Sequence, residues 1–288
     1  MRILVATDFS PRSDRAIRRA VLLAKTFGAH LTLLNVVDND LPPRRIRAER
    51  HSAALLLGRT VDTLRAVDGI DSDSVVSVDS PFQGILKACR QLDPDLLVIG
   101  AHRRQSLMDM FVGTTAERLI RVSPRPVLMA NAVPAAPYRH VLIAVDFSPF
   151  SAEAVRAAAR LGLQRQAAVS VLHVYDPPAA GLLLQASLSD EAITDLRAEA
   201  EERAAAELAA FLRELEFAPL RRIVRAAETL VADTIREVAA ELSADVIVVG
   251  TRGRTGSQKL LLGSVTEDLF RSTDCDVIAV PPPAQPGR

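Results

Sequence analysis

Along the chain, apolar residues fall into short, nearly unbroken runs, separated by longer stretches in which they recur every three to four positions. In the second half the runs occupy 140–145, 168–175, 221–227, 245–249 and 276–280 and are rich in Val, Ile and Leu. A strand with one wet face would alternate, so unbroken runs point to parallel strands covered on both faces. The stretches between them predict helices over 150–163, 189–215, 229–242 and 264–272. The longest is the best signed. Ser189 caps it, Asp190 and Glu191 suit its positive end, and Ile193, Leu196, Ala200, Ala204, Leu208, Phe211 and Leu215 form one apolar face. Glu199, Glu201, Glu202 and Arg203 are left to water. Strand alternating with helix predicts a doubly wound α/β sheet.

The pattern occurs twice. Ile3–Pro11 matches Val141–Pro149, and Leu33–Asp38 matches Val171–Asp176, both at an offset of 138. Two glycine-containing loops and the final strands, Pro126–Ala130 and Asp276–Val280, match at an offset of 150. A period this long is a duplicated domain rather than a solenoid. The 288 residues suit two domains of about 100–150 residues each. The boundary falls at the Pro-stiffened linker Ala132–Pro137, giving domains 1–136 and 137–288.

Composition narrows the function classes. No run of about 18 apolar residues is present, so no membrane span is expected. The N-terminus leads straight into a strand with no signal peptide, and two cysteines, Cys89 and Cys275, read as thiols of a reducing compartment. A cytoplasmic protein is the expectation. Net charge is zero, but residues 1–137 hold 19 Lys and Arg against 14 Asp and Glu, and residues 138–288 hold 16 against 21. Neither half has the basic stripe of a nucleic-acid binder, and opposite signs favour docking of the halves on each other. His30, His51, His102, His140 and His173 are scattered, with no metal-ligand spacing.

The most specific chemistry lies near the C-terminus. The strand ending at Val249 runs into Gly250-Thr-Arg-Gly253, then nine residues, then Gly263-Ser264 and the helix beginning Val265-Thr-Glu. Glycines let backbone approach a ligand closely, and helix N-terminal amides attract anions, so this is a candidate phosphate cradle. The first half carries the same spacing from Gly100 to Gly113-Thr114, but Arg103 replaces the second glycine. In a doubly wound sheet the ligand lies beyond the strand C-termini, where the winding reverses. Asp146 after the first strand, Val174 at the end of the second and the glycine loop all end there. A carboxylate facing a phosphate cradle is a nucleotide layout.

The Asp-Phe-Ser-Pro turn, the Leu-His-Val-Tyr strand and the Gly-x2-Gly-x9-Gly-Ser loop resemble the universal stress protein family in its tandem form. The resemblance implies two five-stranded parallel sheets in the order 3-2-1-4-5, flanked by helices and joined through their fifth strands as an intramolecular pseudo-dimer. It also implies a cytoplasmic stress-response role and ATP binding. A homodimer of the whole chain is left open as a further assembly. Carried over by motif, Asp146 meets the ribose, the backbone near Val174 the adenine, and Gly250, Gly253, Gly263, Ser264 and Val265 the ribose and phosphates, with Mg²⁺ bridging phosphates. Arg252, Arg254 and Lys259 are candidate phosphate neutralisers. In the first half Asp8, Val36, Gly100, Gly113 and Thr114 keep the pattern, while Arg103 breaks it.

Structural readings stand beside these. Ser264–Glu267 and Thr114–Glu117 both read as capping boxes. Asp8 and Asp146 are also turn residues ahead of Ser-Pro helix starts. The loop is not a Walker P-loop, and neither a nucleophile elbow nor a kinase catalytic loop is present. Binding with at most very slow hydrolysis is therefore expected. The alternatives are a nucleotide-independent scaffold and a slow ATPase or autophosphorylating enzyme.

Overall fold

The computed structural model describes residues 1–101, 115–177, 189–253 and 262–282. The first half runs β1 (Arg2–Ala6), α1 (Pro11–Phe27), β2 (His30–Val37), α2 (Pro43–Ala66), β3 (Ser72–Val78), α3 (Pro81–Leu92), β4 (Leu96–Gly100), α4 (Thr115–Val122) and β5 (Val127–Ala130). The second half repeats it as β6 (His140–Val145), α5 (Pro149–Arg160), β7 (Ala168–Tyr175), α6 (Asp190–Glu214), β8 (Arg221–Ala226), α7 (Val231–Glu241), β9 (Val246–Gly250), α8 (Ser264–Ser272) and β10 (Asp276–Val280). The expected helix over 150–163 is divided. Gly162 takes a left-handed φ of 74° after α5, and a single 3-10 turn, Leu163–Arg165, leads into β7.

All ten strands form one sheet in the order β3-β2-β1-β4-β5-β10-β9-β6-β7-β8. Each half therefore has the 3-2-1-4-5 order and is parallel throughout. Among the described residues the one antiparallel pairing joins β5 to β10, with Leu128 opposite Ile278, Val127 opposite Ala279 and Met129 opposite Val277. Leu128 and Ile278 are repeat mates at the offset of 150, so the local twofold axis of the duplication passes between them. An apolar strand at a sheet edge invites pairing, and here each half covers the other's. The outer edges are protected differently. Asp73 and Ser74 on β3, and Arg221, Arg222 and Arg225 on β8, are exposed, and charge on an edge discourages further strand addition.

Helices α1, α2, α5 and α6 cover one face, where a single apolar core runs across both halves through Leu128, Ala130, Ile278 and Val280. The buried face of α6 is Ala204, Leu208 and Leu212, and Ser189 caps this helix through the Ala192 amide at 3.3 Å. Helices α3, α4, α7 and α8 cover the other face in two clusters. There α4 meets α8 through a symmetric pair of ion contacts, Arg121 to Glu267 at 3.9 Å and Arg271 to Glu117 at 3.6 Å. These partners are also mates at the offset of 150.

The buried ion pair across the axis has no symmetric mate. Asp276, at the start of β10, is fully buried beside Arg19 of α1, with Arg19 Nε 2.7 Å from its Oδ2. The Tyr138 hydroxyl donates to Oδ2 at 2.7 Å. The amides of Asn131 and Ala132 donate to Oδ1 at 2.9 and 3.0 Å. The Arg19 guanidinium also lies over the Tyr138 ring at 4.2 Å and donates to the Ala136 carbonyl at 2.9 Å. The linker is thereby pinned to both halves. Burial pushes the Asp276 carboxyl above its ordinary pKa, and Arg19 and the hydrogen bonds oppose that shift. At the repeat-related positions stand Ala157 and Pro126, so the duplication carries the ion pair on one side only.

Removing one partner of such a pair strands the other charge in the interior. Asp276→Ala is expected to lower unfolding stability by about 3–5 kcal/mol, read as a shift in urea midpoint. Because the pair is buried, that loss is expected to vary little with salt, unlike the half-exposed Arg271–Glu117 contact.

Candidate functional site

The winding of the second half reverses between β6 and β9, which are parallel neighbours with Val141 opposite Val246 and Ile143 opposite Val248. Asp146 leaves the end of β6 there. Its Oδ1 accepts hydrogen bonds from the Ser148 amide at 3.1 Å and the Ser148 hydroxyl at 2.6 Å. Ser148 in turn caps α5 by accepting from the Ser151 amide at 3.2 Å. The intervening Phe147 takes a left-handed φ of 62°, an uncommon conformation for a bulky side chain. The turn reading of Asp146 is thus realised, and it orients the carboxylate.

Across the reversal point β9 ends at Gly250. A methyl group added at Gly250 would lie 2.9 Å from the Phe150 carbonyl oxygen, and one at Gly253 would lie 3.0 Å from Asp146 Oδ2. Neither glycine has a positive φ. The glycines therefore serve close approach rather than a left-handed turn. Gly253 keeps the loop backbone directly against the Asp146 carboxylate. The loop's far end returns to the same place. The Gly263 amide donates to the Thr251 carbonyl at 3.0 Å, and the Thr251 amide donates to the Val280 carbonyl at 2.9 Å. Thr266 Oγ1 donates to the Gly250 carbonyl at 2.8 Å.

The capping box expected over Ser264–Glu267 does not form. Gly263 is the N-cap residue, Ser264 is the first helical residue, and no side chain caps α8. Glu267 reaches instead to Arg121 and Arg271 at the domain junction. Its repeat mate Glu117 is committed to Arg271. The exposed Ser264 hydroxyl stands at the helix N-terminus beside the loop. Val265 packs partly against the second-half core, as does Val174 on β7. Arg252 sits with its guanidinium 5.8 Å from the Phe150 ring centre. Arg254 and Lys259 lie outside the described residues.

In the first half Asp8 repeats the turn, its Oδ1 accepting from the Ser10 amide at 3.0 Å, with Phe9 at a φ of 60°. Burial works to raise the Asp8 carboxyl pKa, but hydrogen bonds from Ser10 and Ser13 outweigh it and hold the group below its ordinary value. Gly100 is again a contact glycine, since a methyl group there would lie 2.8 Å from the Arg12 carbonyl oxygen. Val36 is pressed against α3, where a methyl group at Gly84 would come within 2.5 Å of it. His102, Arg103, Gly113 and Thr114 lie outside the described residues.

Other reactive groups contribute little to this region. Burial and the Asp276 charge push the Cys275 thiol up to about 12, and burial also raises Cys89, so both are weak nucleophiles at neutral pH. Among the described residues no cluster of His, Cys, Asp and Glu could hold a metal ion, and no helix is long and apolar enough to cross a membrane.

The contacts sort the glycines by role. Gly250→Ala forces a methyl group onto backbone and is expected to cost about 1–3 kcal/mol. A methyl group at Gly263 would find only ordinary contacts, with Arg252 Cα and the Gly253 amide nitrogen at 3.6 Å. Gly263→Ala is therefore expected to melt within a few degrees of the parent. Thermal denaturation of the two variants side by side checks the assignment.

Comparison with known proteins agrees with this architecture. The model of the universal stress protein family matches residues 1–131 and again 137–281. A universal stress protein of Mycolicibacterium smegmatis is 26% identical, covering 97% of both chains. One from Methanocaldococcus jannaschii is 31% identical over 51% of this chain and 84% of its own. The crystal structure of a universal stress protein from Archaeoglobus fulgidus superposes with a TM-score of 0.70 at 19% identity, covering 97% of this chain and 98% of that one. With both halves matched and every strand in place, the chain belongs to the universal stress protein family as a tandem-domain member.

Proposed function

We propose that the second half binds one ATP per chain and that the protein acts as a nucleotide-responsive regulator in a stress response, holding ATP rather than turning it over. The observation that carries this reading is the meeting of Asp146 Oδ2 with Gly253, where a methyl group would lie 3.0 Å from the carboxylate oxygen, so loop backbone and carboxylate stand side by side. Beside them lies the N-terminus of α8, with the Ser264 hydroxyl in its first turn. A carboxylate suits ribose hydroxyls, and helix N-terminal amides with an adjacent hydroxyl suit phosphate. The end of β7 at Val174 offers backbone and an apolar flank to a base. Gly250, Gly253, Gly263, Ser264 and Val265 would line ribose and phosphates, with Arg252 and Arg254 near the charge. Mg²⁺ would be held chiefly by phosphate oxygens and water, in keeping with its reluctance to shed its hydration shell.

The first half is assigned weak or no nucleotide binding. The repeat position of Gly253 is Arg103, and a residue with a side chain is expected to disfavour the close backbone approach that glycine allows. Asp8 is exposed, whereas Asp146 is half-buried.

Calorimetric titration with Mg-ATP is expected to give one site per chain. Gly263→Val, which places a branched side chain at the mouth of the helix N-terminus, is expected to lower affinity at least about tenfold, or 1.4 kcal/mol, with little loss of stability. Two equal tight sites per chain, or a folded Gly263→Val protein with unchanged affinity, would overturn the reading. Mass spectrometry of the purified protein is expected to find ATP or ADP carried along.

A further inference from the structure

The two halves solve one local problem with different residues, and the difference singles out His173. The carbonyl at the end of the first strand of each half has a side-chain donor on the neighbouring second strand. In the first half Asn35 Nδ2 donates to the Thr7 carbonyl at 2.9 Å. In the second half His173 Nδ1 lies 2.9 Å from the Val145 carbonyl. Asn35 and His173 are repeat mates at the offset of 138, as are Thr7 and Val145, and both donors are buried. A carbonyl only accepts, so the His173 proton on this side sits on Nδ1.

His173 does something more that Asn35 cannot. Its ring stacks on Phe147, with centroids 4.0 Å apart, and Phe147 in turn packs against Phe211 of α6 at 5.3 Å. In the first half the matching Phe9 is 40% exposed. One imidazole thus holds the residue before Asp146 by its carbonyl and the residue after it by its ring. Phe147 is also the residue at positive φ, the point where the turn stores strain and would otherwise relax.

We infer that His173 is a positioning residue for ligand binding, clamping Val145 and Phe147 so that the Asp146 carboxylate is held ready for ribose hydroxyls. The inference rests on the nucleotide reading above. The first half holds its turn by other means, the Phe9 amide donating to Thr7 Oγ1 at 3.0 Å, and Val145 has no hydroxyl to replace that contact.

The test uses the full-length protein and two probes, Mg-ATP and Mg-2′,3′-dideoxy-ATP, which lacks the ribose hydroxyls. Asp146→Ala sets the scale, because it is expected to erase the preference for ATP over the dideoxy compound. His173→Leu is expected to weaken ATP binding by about five- to tenfold, the worth of a positioned hydrogen bond, and dideoxy-ATP binding by less than about twofold. His173→Asn, which borrows the first half's own donor, is expected to recover most of the ATP preference. If His173→Leu fails to fold because the Val145 carbonyl is left buried without its donor, Phe147→Leu removes the stack alone and is expected to show the same selective loss for ATP. Equal weakening of both nucleotides in these variants would show a purely structural histidine and overturn the inference while leaving ATP binding intact. A parent protein that binds neither nucleotide would overturn the functional reading and the inference together.

Discussion

The rest of the architecture depends on the antiparallel meeting of β5 and β10. Each doubly wound half ends with an apolar strand at its edge, and neither edge carries a charge within the strand except Asp276 at the very start of β10. Val127–Ala130 and Val277–Val280 are each almost wholly buried in the joined sheet. Burial of each Leu, Ile, Val or Met side chain contributes about 1.5–3 kcal/mol, so covering the two strands outweighs any single ion pair at the junction. The duplication of the chain supplies the cover at high effective concentration, since the partner edge is only a short linker away.

That junction also fixes the candidate site. β10 accepts from the Thr251 amide through Val280 and pairs with β9 along its length. The start of the glycine loop is therefore referenced to the interface strand. Leu262, the residue before Gly263, is buried in the first half's core cluster, and Glu267 of α8 reaches Arg121 of α4. The second half's loop is thus anchored at both ends to elements that touch the first half. A chain with one altered loop can retain both domains on this ground alone, because the first half supports the second half's site whether or not it holds a ligand.

Perfect symmetry would make the halves interchangeable, and several departures prevent it, three of which bear on the junction and the candidate site. Arg19 and Asp276 face Ala157 and Pro126 across the pseudo-twofold. Where the second half has His173 stacked on Phe147, the first has Asn35 and an exposed Phe9. In the sequence, Arg103 stands at the repeat position of Gly253. The first departure stiffens the junction, and the second and third bear on the loop and turn of a candidate site. The ion contacts between the halves include Arg19–Asp276, Arg121–Glu267 and Arg271–Glu117, and the more exposed of them are weakened by water and salt.

Much of this was legible from residues alone. Unbroken Val, Ile and Leu runs mark strands covered on both faces, and their alternation with helices leaves little topological freedom, so the class and the duplication followed from local pattern, while the edge status of β5 and β10 came from the family resemblance. The Asp-Phe-Ser-Pro turn and the helix caps at Ser10, Ser148 and Ser189 were legible because each closes within three residues. What local pattern could not supply was anything closed across the sheet. Glu267 three residues after Ser264 has the spacing of a capping box, yet it serves an ion pair with a helix of the other domain. Gly250 and Gly253 look like turn formers, yet their conformations suit any residue and their small size answers to Phe150 and Asp146. Asp276 and His173 carried no signal beyond their strands, although comparing repeat mates would have marked Asp276 against Pro126 and paired His173 with Asn35 as donors. The sequence by itself determined which segments become strands and helices and that they come twice, because those choices are settled by period and local hydrogen bonding. Only the tertiary structure decided which side chains meet across the junction and the β6–β9 reversal, because those contacts join residues tens to more than a hundred positions apart, where spacing along the chain carries no record of distance.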